Sequence, residues 1–176
     1  QVVAHFDRHY ALGLSAQEQA DLVAYLEAVG DAEEPTTRNT LQAELDEIAA
    51  FVSALDAAIP ARNREIIALT VTAVGDQWRE VGERFPPQSD TSVRGGIAER
   101  RAARAAVREL VLTLRQIEMA VAANDFDQAA QVYADYRKQV PMAAAALKRA
   151  EPWSLFNPRI YEAHMTAMRQ LAGLAK

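Results

Sequence analysis

Residues 67–85, IALTVTAVGDQWREVGERF, decide the fold. Their large apolar side chains, Ile67, Val71, Val74, Trp78, Val81 and Phe85, recur at alternating spacings of four and three. Residues so spaced share one face of an α-helix, so the six form a single stripe. The same alternation runs through Leu41, Leu45, Ile48, Val52, Leu55 and Ile59. It resumes in Val107, Leu110, Leu114, Ile117 and Val121, then in Phe126, Ala129, Tyr133, Tyr136, Val140 and Leu147. Stripes of this kind are seams that bury themselves against other helices.

What separates the seams decides between a bundle and a long coiled coil. Pro60 suits the first turn of a helix. PPQSDTSVRGG, residues 86–96, reads as a loop, and AND at 123–125 reads as a tight turn. Chains broken in this way fold back on themselves. The expectation is all-α: an antiparallel four-helix bundle plus a C-terminal helix. That last helix starts at Asn157-Pro158, after EPWSLFNP (151–158) has crossed the bundle end, with Ile160, His164, Ala167, Leu171 and Leu174 as its apolar series. Pro141 lacks an N–H and is expected to bend or end the fourth helix near residue 137. A bend that opens a ligand pocket is the alternative to one that follows the core.

Composition agrees and narrows the function. In 176 residues half are hydrophobic, with few glycines and prolines, which favours helix. A formal charge of −5 gives no general attraction to nucleic acid. No apolar run approaches the roughly 20 residues of a membrane span. The chain opens on Gln1, as a processed or trimmed product would. It has no cysteine, which excludes disulfides, thiolate metal sites and a Cys-x-x-Cys-His haem attachment within it.

Ahead of the bundle lies HFDRHYALGLSAQEQADLVAYLEAVG, residues 5–30. Ser15 and Glu18 form a capping box, Leu22, Val23, Leu26 and Val29 mark one face, and Gly30 ends the helix. With its His9-Tyr10 pair and the run LSAQEQADLVAYL, this segment resembles the C-terminal end of the dihaem cytochrome c peroxidase and MauG-like family. The resemblance covers residues 2–30 only. It implies a periplasmic parent protein carrying haem c, of peroxidase or electron-transfer type, with no cofactor in this chain. The implied organisation is 1–30 as terminal helices of a cytochrome c-like domain, 31–36 as linker and 37–176 as the helical bundle. The bundle is then a non-catalytic binding or structural module, its partner the upstream haem domain or a redox protein. An independent helical ligand-binding or sensor bundle is the rival.

Few side chains offer chemistry. His5 and His9 share a helix face and give two ligands of an incomplete metal shell. His164 occupies a seam position beside Met165 and Met168, a weak site for non-covalent haem b. A histidine hydrogen-bonded to a neighbouring helix is the plainer reading. Glu-x-x-His, the di-metal signature of ferritin-like bundles, does not occur. Arg101, Arg104, Arg108 and Arg115 line the helix face opposite the Leu110 seam. They form either a solvated surface or a docking face for an acidic partner. Trp153 is a bundle plug or an aromatic partner anchor. The apolar stripe at 22–29 adds a possible homodimer contact.

Overall fold

The computed structural model describes residues 40–171, together with Ser15 and Gly173. The chain divides into two units, Gln1–Arg38 and Asn39–Lys176, and the helical bundle is the second. Apart from Ser15, residues 1–30, with His5 and His9 and the expected cytochrome-like helices, and the expected linker 31–36 lie outside the described residues.

The described residues are helical and include no strand: α1 (Leu41–Ala58), α2 (Arg64–Glu83), α3 (Ile97–Ala122), α4 (Phe126–Ala150), a 3-10 turn (Glu151–Trp153) and α5 (Pro158–Leu171). Local chemistry sets the starts. Thr40 Oγ1 accepts from the Ala43 N–H at 3.2 Å, Asn63 Oδ1 from Ile66 at 3.1 Å, and Asp125 Oδ1 from Gln128 at 2.9 Å. Each satisfies one of the donors that a helix N-terminus leaves unpaired. Pro60 belongs to the preceding turn, not to the first turn of α2. The reversal is completed by Arg62 at φ +52°, and Asn63 supplies the cap.

The four seams converge on one core. Trp78, Tyr136, Phe85, Leu55, Ile67, Leu110, Ile117 and Leu147 are all fully buried. Each of the four core helices packs against the next, most extensively α3 on α4. Helix α4 runs unbroken through Pro141 to Ala150. The turns beyond the proline are held by Ala143, Ala146, Leu147 and Ala150, which are buried in the same core. The C-terminal helix departs from expectation. None of its residues is buried, and Met168 and Leu171 are 48% and 82% exposed. Its apolar series is a half-covered face and not a fifth seam.

The long connection between α2 and α3 is held from inside. Arg100 is only 2% exposed, and its guanidinium donates to the carbonyls of Pro86 (2.7 Å), Pro87 (3.2 Å) and Val93 (3.2 Å). Its planar fork reaches several acceptors at once, which suits it to fastening a loop. Gly96 then enters α3 at φ +58°. A Cβ there would stand 2.4 Å from ring atoms of Trp153, so the indole lies flat against the backbone.

Candidate functional site

Two grooves and one polar cluster hold the chemistry of the described residues. The larger groove, about 610 Å³, runs between α2 and α3. Its apolar lining is Gly82, Val107, Val111 and Leu112, and its charged lining is Arg79, Arg104, Arg108 and Arg115 with one carboxylate, Glu83. The helices approach closely here: a Cβ on Gly82 would lie 3.0 Å from a Val107 methyl.

The arginines have different jobs. Arg104 donates to Phe85 O (3.0 Å) and Gly82 O (3.4 Å) just where α2 ends, the latter carbonyl also accepting from the Phe85 N–H. Arg101 donates to Gln88 Oε1 at 2.9 Å, and Arg79 pairs with Asp76 one turn away. Arg108 and Arg115 make no hydrogen bond or ion pair with any described residue and are exposed. A neighbouring recess of about 140 Å³, lined by Pro87, Gln88, Arg100, Arg101, Arg104 and Arg108, continues the basic surface around the bundle end. Three of the four arginines named from sequence therefore line one groove, and Arg101 borders its extension. Trp153 is not among them. It sits at the bundle end over Gly95 and Gly96.

The second groove, about 250 Å³, opens between α1 and α4. The backbones of these two helices barely approach within 8 Å, and side chains span the gap. Tyr133 donates from its hydroxyl to Asp56 Oδ1 (2.9 Å), with the Val52 carbonyl at 3.3 Å, and Arg137 donates to the same Asp56 oxygen (3.0 Å). Deeper in, the Trp78 indole N–H donates to the Tyr136 hydroxyl at 2.8 Å. Burial pushes the Tyr136 phenol up to about 12, although the Trp78 hydrogen bond pulls the other way. Burial, then the hydrogen bond to Asp56 and its charge, raise Tyr133 further still.

His164 joins the loop to α5. Its Nδ1 lies 3.0 Å from Asp90 Oδ2 and 3.0 Å from Ser92 Oγ, while Ser92 also bonds to Asp90 through its hydroxyl and, at 2.9 Å, its N–H. These are the three residue types of a hydrolytic triad, but the arrangement is different. Both partners face one ring nitrogen, and a carboxylate there requires that nitrogen to carry its proton. Ser92 then donates its hydroxyl hydrogen bond to Asp90, and the ring nitrogen that faces it cannot take its proton as a triad histidine would. The cluster is a clamp. The haem b reading of His164 and Met165 has to compete with this engaged nitrogen. Among the described residues, no group of three or more His, Cys, Asp and Glu is placed to hold a metal.

The clamp has a pH signature. Burial opposes ionisation of Asp90, but the two hydrogen bonds from Ser92 and the charge of His164 outweigh it and set the carboxyl below its ordinary value. A depressed carboxylate stabilises the fold above the unfolded-chain value, about 3.9, and that contribution fades as pH falls through the lowered one. The difference in thermal stability between the native chain and Asp90→Asn should shrink as pH falls below about 4. A difference that persisted undiminished in acid would show that the carboxylate's charge is irrelevant to the clamp.

Sequence reading did not find Arg100, Asp90 or Ser92. Only Arg100 left a signal: counting back from Val107 in the same three-four alternation places Ala103 and Arg100 on the buried seam. No family model, curated protein or solved structure matches the chain. No described helix is long and apolar enough to cross a membrane.

Proposed function

We propose that the bundle is a docking module, not a catalyst, and that it receives an acidic amphipathic helix along the groove between α2 and α3. One observation carries this reading: Arg108 and Arg115 have no acceptor among the described residues and flank an apolar floor, in a chain whose formal charge is −5. Isolated exposed arginines are ordinary, but unpaired ones bordering exposed apolar surface suit a helix-in-groove partner. At 1.5 Å per residue, Arg104 and Arg108 are about 6 Å apart along the axis and Arg108 and Arg115 about 10.5 Å. Carboxylates four and seven residues apart on a partner helix match that ladder. Leu112, 43% exposed, Val107 and Val111 offer the apolar face.

The larger context belongs to the same proposal. The His9-Tyr10 pair and LSAQEQADLVAYL suggest a periplasmic cytochrome c peroxidase-like parent, with the partner helix on its haem domain or on a redox protein that it meets. This part is supported by the opening segment alone.

A helical peptide with glutamates spaced four and seven apart over a leucine face tests the docking claim by fluorescence anisotropy. Arg108→Glu with Arg115→Glu should weaken binding at least about tenfold and flatten its salt dependence, as rim charges do. Thermal stability should not change, because neither side chain has a partner among the described residues. Equal binding by the native and doubly substituted chains would remove the groove from consideration.

A further inference from the structure

We propose that the small recess between the Pro86–Gln88 stretch and the first turns of α3 binds a dianionic phosphate group. The recess adjoins the docking groove and shares Arg104 and Arg108 with it, but the proposal does not rest on the docking reading.

The first support is charge without compensation. Arg100, Arg101, Arg104 and Arg108 all line the recess, and no acidic residue does. Arg100 is almost wholly buried and is held by carbonyls alone. It has no carboxylate partner among the described residues, and its Nε has no acceptor there either. A guanidinium bonded only to dipoles keeps its full charge, and little water stands by to screen it. An anion in the recess offsets that charge through space, without having to touch the buried nitrogens.

The second is a set of unspent donors that a ligand reaches directly. Arg101, Arg104 and Arg108 are exposed and stand at i, i+3 and i+7, on one face of α3 and within about 10.5 Å of axial rise. Arg101 commits only Nη2, to Gln88, and Arg104 only Nη1, to Phe85 and Gly82. Arg108 commits nothing to the described residues. The remaining N–H groups belong to forks that each offer two parallel bonds, which suits a ligand with several oxygens. A carboxylate brings two oxygens and one charge. A phosphate monoester brings three and close to two charges above pH 7. Volume limits the rest. A cavity of about 150 Å³ holds benzene, so about 140 Å³ takes a phosphate group and leaves any body attached to it outside.

Inorganic phosphate and phenyl phosphate are the probes, titrated at pH 8 and constant ionic strength into the 15N-labelled full chain. Inorganic phosphate should bind one-to-one and shift the amide resonances of Gln88, Ile97 and Arg101. Dimethyl phosphate, with a single charge, should bind at least about tenfold more weakly, the effect of losing one charge-assisted hydrogen bond. Arg101→Gln should weaken phosphate by a similar factor. Arg101 lines the recess and not the docking groove, so this loss reports on the recess alone. Arg94→Gln is the charge control: Arg94 is exposed nearby but outside the lining, and its loss should leave the affinity unchanged. Both replaced side chains are exposed, so both variants should keep the native thermal transition. Binding of phenyl phosphate as well supports a small monoester as the ligand; binding of inorganic phosphate alone supports the free ion. The proposal is overturned if neither probe gives a saturable shift by about 10 mM, if dimethyl phosphate binds equally well, or if Arg101→Gln and Arg94→Gln behave alike. None of these outcomes bears on the helical-peptide titration, which contains no phosphate.

Discussion

Gly96→Ala should lower the stability of the bundle by about 2–5 kcal/mol and its Tm by on the order of 10 °C. Two independent costs add. An alanine held at φ +58° pays the left-handed penalty of about 1–2 kcal/mol. Its methyl would also lie 2.4 Å from the Trp153 ring, where something must move, an overpacking strain of about 1–3 kcal/mol. A double-mutant cycle separates them. With Trp153→Ala in place the steric part vanishes, so Gly96→Ala should then cost only its backbone share. A coupling energy near zero would show that the indole does not rest on the glycine, and Trp153 would again be open to a role as an exposed anchor.

Arg100→Ala is expected to cost about 2–4 kcal/mol. The change removes a charged donor from three carbonyls, and the Pro86 and Val93 carbonyls it serves belong to buried residues. Hydrogen bonds to charged groups are worth more than neutral ones, and the orphaned acceptors add their own desolvation cost. Arg100→Lys should recover little, since one ammonium cannot reproduce the spread of a planar fork. Chemical denaturation supplies the stability difference, and amide exchange should speed up across residues 84–96. A stability loss below about 0.5 kcal/mol, the size of an ordinary surface substitution, would contradict the clamp.

The seams were legible because helix burial has a period. Ile67, Trp78, Leu110 and Leu147 lie where the alternation of three and four puts them, and all are buried. The arginine groove was half legible, since Arg104, Arg108 and Arg115 repeat on one face, but Arg79 comes from another helix at no fixed spacing. The His164 clamp was hidden. Its partners Asp90 and Ser92 are more than 70 residues away in an irregular segment, and no periodicity records such a contact. The apolar series of α5 misled for a related reason: periodicity shows that a face is apolar, not that another element covers it. The cleft depends on a gap between the first and fourth helices, with Ala49 and Ala144 too short to close it, and spacing along one helix carries no such information.

The gap between α1 and α4 also bears on how the bundle assembles. The α3–α4 pair is joined by three residues and shares the most extensive packing, so it closes the shortest loop for the greatest return. By contrast α1 rests on α2 and reaches α4 mainly through Tyr133 and Arg137, both gripping the single carboxylate of Asp56. Among the four core helices, assembly is thus expected to run from the α3–α4 hairpin outward, with α1 the last of the four to be secured. Because the chain enters the bundle at Thr40, directly ahead of α1, tension applied from upstream falls first on the least secured of the four core helices and spares the hairpin behind it.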